Sequence, residues 1–204
     1  MSELTQCNEY IKTKLMPIVN SCNEHLEGHI FDEDPSIPDI FLDKRRNFII
    51  VCKGKTNALE IGFNAGFSAL LILVSNPDIK LTCVDIAIHE YTIPCFNQLK
   101  KDFGERINLI IGDSCLTVPT INETFDLIHI DGGHSLQIAE KDMQNTYRLL
   151  NNNGTIIMDD VNMNDNNHAL ANLWKHYINI FQYKTPDIFI YKNNYQDIMV
   201  KSRI

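Results

Sequence analysis

From Asn57 onward, short uninterrupted apolar runs alternate with stretches of helical period, and that alternation leaves few folds open. "NALEIG" (57–62), "KLTCVDI" (80–86), "INLIIGD" (107–113), "FDLIHID" (125–131) and "TIIMDD" (155–160) read as strands. Between them lie "GFSALLILVS" (66–75), which reads as a helix ending before Pro77, and a second helix through "FNQLKKDF" (96–103). A third helix begins near Leu136, and its apolar residues Leu136, Ala139, Met143, Tyr147 and Leu150 fall three and four apart on one face. "NNNG" (151–154) closes it in the form of a left-handed C-terminal cap. Strands that are apolar throughout must be covered on both faces, so the pattern predicts an α/β, doubly wound, mostly parallel sheet.

Past Val161 the pattern changes. A helix over 169–177 leads to "INIFQYK" and "DIFIYK", joined by "TP", which read as an antiparallel pair at the sheet edge. Residues 1–56 read as a helical extension, with the acidic, proline-bearing "FDEDPSIPDI" (31–40) as a lid segment. The 204 residues suit one domain that buries roughly 70% of its unfolded surface: an N-terminal segment 1–56, a core 57–161 and a C-terminal helix and edge 162–204.

Composition narrows the partners. A net charge of −8 argues against bare nucleic acid and against an anionic membrane surface, both of which need a basic face. The six cysteines are scattered at positions 7, 22, 52, 83, 95 and 115 with no C-x-x-C pair, which predicts free thiols in a reducing compartment. The first residues lack the apolar core of a signal peptide, and no apolar run approaches the roughly eighteen residues of a spanning helix. The expectation is a soluble, cytoplasmic protein.

Open parallel sheets bind ligands outside the carboxyl ends of their strands. The turn after the first strand, "EIGFNAGFS" (60–68), sets Gly62 and Gly66 before a helix N-terminus, where backbone can approach a ligand closely. A dinucleotide fingerprint needs G-x-G-x-x-G, whereas position 64 is asparagine, so a nicotinamide cofactor is disfavoured. Asp85 closes the second strand about twenty residues on, as a ribose-gripping carboxylate would. Two turn glycines and a strand-end acid also fit a purely structural role. "GKT" (54–56) precedes a strand and lacks the earlier glycine of a phosphate-binding loop, so it is set aside.

Asp131 ends the fourth strand, and Asp159 and Asp160 end the fifth. Neighbouring strands lie about 4.8 Å apart, so the three carboxylates can meet at one point. Like charges that close repel unless protons or a cation intervene, and an all-oxygen set suits Mg²⁺ or another hard divalent ion. Strand-end acids can equally cap helices or anchor loops. The two histidines nearby differ in place. His129 lies inside the strand and reads as a hydrogen-bonded core residue. His134 follows Gly132 and Gly133 in the loop, and reads as a candidate general base. His168, Trp174, Tyr177 and Phe181 read as surface or core residues.

In order, "ALEIGFNAGFSA", "VDI", "IIGDS", "FDLIHIDGGHS" and "GTIIMDDV" resemble a class I S-adenosylmethionine-dependent methyltransferase over residues 57–161, and within that class the metal-dependent O-methyltransferases of catechols and of macrolide and aminocoumarin sugars. The resemblance implies a Rossmann-like seven-stranded sheet whose last strand is antiparallel. It implies that Glu60, Gly62, Asn64, Gly66 and Ser68 wrap the methionine part of S-adenosylmethionine, that Asp85 holds the ribose, and that Asp113 and Ser114 flank the adenine. Asp131, Asp159 and Asp160 would bind Mg²⁺, with Asp131 also touching the cofactor, and His134 would be the catalytic base. An Asp-Asp pair and a histidine base resemble the sugar branch more than the catechol branch. The absence of glutamate between Val161 and Ile204 points the same way. The expected acceptor is a small hydroxylated molecule, a sugar or nucleotide sugar, and the expected assembly a homodimer. Metal-independent transfer to nitrogen or a carboxylate, and a non-catalytic cofactor-binding subunit, stay open as alternatives.

Overall fold

The five apolar runs become the parallel strands of one sheet in a computed structural model, which describes residues 2–28, 30–31, 41–161, 169–182 and 199–202. They are β1 (Asn57–Ile61), β2 (Lys80–Asp85), β3 (Ile107–Ile111), β4 (Phe125–Ile130) and β5 (Leu150–Met158), with β6 (Met199–Ser202) antiparallel against β5. The spatial order is β3-β2-β1-β4-β5-β6, so the winding reverses between β1 and β4. The described residues thus hold six strands where the resemblance implies seven, and the antiparallel last strand is present at the edge.

Two expectations near the C-terminal part are corrected. Ile178–Ile180 of "INIFQYK" form the last turn of helix α8 (Ala169–Ile180), not a strand. Ala171, Leu173, Trp174, Tyr177 and Ile178 continue a stripe at helical spacing and are buried, and that packing overrides the β-preference of the short run. "NNNG" is likewise no helix cap. Helix α7 (Leu136–Tyr147) ends earlier, and Leu150 already pairs with Phe125 as the first residue of β5. Asn153 does adopt a left-handed backbone (φ 63°), but within an irregularity where the register jumps from Phe125–Leu150 to Leu127–Thr155. "DIFIYK", most of the 31–40 segment and His168 lie outside the described residues.

Two apolar clusters cover the two faces of the sheet. On one, α3 (Leu42–Val51), α4 (Phe67–Ser75) and α5 (Thr92–Phe103) join Ala58, Leu81, Cys83, Leu127 and Ile157. On the other, α7 and α8 close over Leu59, Ile61, Ile128, Ile130 and Met158. Strand alternation puts Glu60, His129, Asp131 and Asp159 on the α3 side. No helix among the described residues is long and apolar enough to cross a membrane.

The N-terminal extension runs as α1 (Glu3–Tyr10), a π-helical turn over Ile11–Leu15 and α2 (Met16–Ser21). Cys7, Ile11, Leu15 and Val19 share one buried face. At the rim the Tyr10 hydroxyl and the Lys14 ammonium both donate to Asp102 Oδ2 on α5, at 2.7 and 2.6 Å. These bonds, Lys14's first, pull the Asp102 carboxyl down to about 2. A depressed folded-state pKa gives stability that is full above the unfolded value near 4 and is lost as pH falls through the folded one.

At the end of β1 the Gly62 N–H donates to the Val84 carbonyl at 2.9 Å, with φ at 91°. A Cβ at Gly62 would stand 1.9 Å from the Asp131 carbonyl oxygen, which belongs to backbone and cannot move aside. Gly62→Ala is therefore expected to lower unfolding free energy by about 3 kcal/mol or more in urea titrations. Asp102→Asn should cost about 0.5–1 kcal/mol at pH 7 and progressively less as pH falls through about 2, read from denaturant midpoints across that range.

Candidate active site

A cavity of about 580 Å³ opens at the carboxyl ends of β1, β2 and β4, beside the reversal of strand order. Gly62, Asn64 and Ser68 line it from the turn after β1, Asp85 from the end of β2, and Asp113 and Ser114 from the loop after β3. Asp131, His134, Asp159 and Asp160 form its other end. Gly66 stands just behind the wall at the start of α4, with φ 78°, where a Cβ would meet the Phe63 ring at 2.5 Å.

Glu60, like Gly66, does not line the cavity. It is fully buried in the sheet, one oxygen 3.1 Å from His129 Nδ1 and the other accepting from the Cys83 thiol at 3.4 Å. Its position mid-strand turns it toward α3, beneath the cavity floor. From that place its described contacts are to His129 and Cys83.

The turn after β1 is held by Asp85. One oxygen accepts the N–H groups of Phe63 (2.7 Å) and Asn64 (2.9 Å), and the other accepts Ala87 N–H at 2.6 Å. Asn64 takes a left-handed backbone (φ 52°), tolerated better by asparagine than by most residues. Its side-chain amide donates to the Glu27 carbonyl, so the 22–28 stretch is fastened across the turn. His89 strengthens that fastening, pairing with Glu24 at 3.3 Å and Glu27 at 2.8 Å while stacked on Tyr91. Asp113 caps a short helix, α6 (Ser114–Thr117), by accepting Cys115 N–H at 2.8 Å.

The carboxylates meet because the strand ladder continues past its last paired residues. Asp131 N–H donates to Ile61 C=O at 2.8 Å, and Asp159 N–H to Ile130 C=O at 3.0 Å. Asp160 then adopts φ 58°, a conformation costly for a non-glycine residue, and its carboxylate accepts from His134 Nε2 at 2.8 Å. Lys44, buried on α3, reaches in from the N-terminal segment to donate to Asp159 Oδ2. Asp159 Oδ1 accepts Asp160 N–H at 2.8 Å. Two sets of potential ligand atoms, from His129, Asp131 and Asp159 and from Asp131, His134 and Asp160, each lie within 4.8 Å of one another.

The charges shift one another strongly. Burial, reinforced by Asp159, pushes Asp131 up to about 7. The hydrogen bond to Asp160 raises His134 to about 9, so the imidazolium is its resting form beside these acids. Burial opposes the Asp160 charge, yet His134 and Lys44 hold it below the usual carboxylate range. For Lys44, burial works against the ammonium, but Asp159, Asp131 and Asp160 outweigh it and raise its pKa. His129 is likewise raised, with Glu60 and Asp131 overcoming burial.

Lys44 and the Glu27–His89 fastening line the cavity, and no sequence motif marks either of them. Lys44 lies 115 residues from its partner, in a helix whose polar face is itself partly buried.

The family model described as a methyltransferase domain matches residues 59–161, just over half of the chain. No curated protein sequence matches it. Among solved structures, the O-methyltransferase from Bacillus cereus in complex with S-adenosylhomocysteine is similar, with TM-score 0.66 and 15% identity over 98% of this chain and 97% of that one. The N-methyltransferase NodS from Bradyrhizobium japonicum, also in complex with S-adenosylhomocysteine, aligns with TM-score 0.61 and 16% identity over 91% and 98%. Precorrin-6y C5,15-methyltransferase from Geobacter metallireducens aligns with TM-score 0.62 and 13% identity over 85% and 94%.

Breaking one side of a buried ion pair leaves an uncompensated charge. Lys44→Met is expected to cost roughly 3–5 kcal/mol in chemical unfolding. The Lys44→Met/Asp159→Asn double variant should recover a large part of that loss, and simple additivity of the two substitutions would show that the pair is not coupled.

Proposed function

The chain belongs to the methyltransferase-domain family, and on that footing we propose that it transfers a methyl group from S-adenosylmethionine to a hydroxyl oxygen of a small polar acceptor, with a divalent cation held by Asp131, Asp159 and Asp160. The observation that carries this reading is the meeting of two half-sites in one cavity: a backbone-rich cradle at Gly62, Asn64 and Asp85, and a cluster of acids and a histidine opposite it. Two of the similar structures hold S-adenosylhomocysteine, the product such a cofactor leaves.

In this reading Gly62 and Asn64 present backbone to the cofactor, Asp85 grips the ribose, and Asp113 and Ser114 flank the base. Bound S-adenosylmethionine supplies an electrophilic methyl, whose C–S bond breaks as the C–O bond forms. The donor set fits a hard cation, because Asp159 and Asp160 already take Lys44 and His134 as positive partners at the same point. A divalent ion held there would supply Lewis acidity toward the acceptor oxygen and would oppose protonation of His134. His134, carried on the Gly132–Gly133 loop, accepts the hydroxyl proton, and Asp160 steadies the imidazolium that results. The acid-rich, polar end of the cavity suits a sugar or nucleotide sugar better than a catechol.

Lys44 favours a second reading. Its ammonium already neutralises Asp159, so it could serve as the cation of a metal-free transfer.

Thermal unfolding with S-adenosylhomocysteine, with and without Mg²⁺, separates the readings. A ligand of the native state at a hundred times its dissociation constant adds about 2.7 kcal/mol. The expected result is a raised Tm with the cofactor product and turnover that a chelator abolishes. No shift would overturn cofactor binding, and chelator-resistant turnover would select the Lys44 reading. His134→Gln should lower kcat about 10²–10⁴-fold, and a smaller effect would remove it as the base.

A further inference from the structure

His129 is more than a core histidine. It lies on β4 directly opposite Glu60 of β1 and Ile157 of β5, and its side chain is wholly buried. Nδ1 faces Glu60 at 3.1 Å, and the ring meets the edge-on face of Phe48 with centroids 4.8 Å apart. Glu60 is anchored in turn by the Cys83 thiol. The ring is therefore held in place and orientation by Glu60 and Phe48.

Its other nitrogen is unlike them. Nε2 is buried and has no hydrogen-bond partner among the described residues, although buried polar atoms are nearly always paired. A ring nitrogen of His129 lies within 4.8 Å of carboxylate oxygens of Asp131 and Asp159. Nδ1 is taken by Glu60, which leaves Nε2 as the atom available to that cluster.

We propose that His129 Nε2 is the inner ligand of the divalent cation, completing a His129–Asp131–Asp159 set, with Glu60 as the outer carboxylate that holds the proton on Nδ1. Metal-bound histidines characteristically donate their second ring N–H to a carboxylate, which fixes the tautomer. The inference rests on the metal reading above and sharpens it. A buried imidazole among two carboxylates moves preference from Mg²⁺ toward Mn²⁺ and other first-row ions that accept nitrogen.

The test is Mn²⁺ titration of the full chain by calorimetry, followed by pulsed electron paramagnetic resonance of the bound ion. The expected signature is ¹⁴N coupling from a coordinated imidazole, kept in His134→Gln and lost in His129→Gln, together with tighter binding of Mn²⁺ than of Mg²⁺. Should His129→Gln fail to fold, Glu60→Gln decides. It should weaken Mn²⁺ binding about 10–100-fold while S-adenosylhomocysteine still raises Tm. Bound Mn²⁺ without nitrogen coupling, coupling that persists in His129→Gln, or unchanged affinity in Glu60→Gln would overturn the ligand role and leave an all-carboxylate metal site standing. No Mn²⁺ or Mg²⁺ binding at all would overturn the metal reading itself.

Discussion

Carboxylates crowded at the ends of adjacent strands set the terms for much of this molecule. Asp131 and Asp159 stand side by side because the β1–β4–β5 ladder carries on for one more step, and Asp160 joins them through a left-handed backbone. Such a group persists in a folded chain only with positive partners. The positive partners come from different elements: Lys44 from α3 and His134 from the loop above, while His129 faces the same acids from the sheet beneath. The packing of α3 against α4 and the sheet is thus tied to the electrostatics of the cavity. Phe48 shows the coupling in one residue, since it fills the core and also walls His129.

The two ends of the cavity are built on different principles. Around Gly62 and Asn64 the work is done by backbone, because the close approach to Asp131 leaves no room for side chains. At the acid end it is done by charge. Similar folds belong to proteins described as O-, N- and C5,15-methyltransferases, so the architecture alone does not choose the acceptor.

The parallel strands, the reversal between β1 and β4 and the strand-end acids are legible in the sequence, because each depends on local pattern: apolar runs, glycine turns, and acids where runs stop. Three features are not. "INIFQYK" has the composition of a strand, yet it completes the stripe of α8, and only contact with α7 reveals the period. Lys44 looks like any helix-surface lysine until the fold brings Asp159 against it across 115 residues. Glu60 sits where the resemblance places a cofactor contact, but pairing with His129 across the ladder turns it inward. Long-range pairing decides all three, and local pattern carries no trace of it.

The irregularity between β4 and β5 bears on how such a domain can vary. The two-position step from Phe125 to Leu127 on β4 runs beside the five-position step from Leu150 to Thr155 on β5, and regular pairing resumes through His129 and Ile157 to Ile130 and Met158. The surplus length is absorbed at the end of the sheet remote from the cavity, before the strands reach the acids. Exposed asparagines at 151–153 mark the place. Insertions or deletions accumulating there leave the alignment of Asp131 with Asp159 untouched, so the chain can drift in length at one end while its chemistry stays in register at the other.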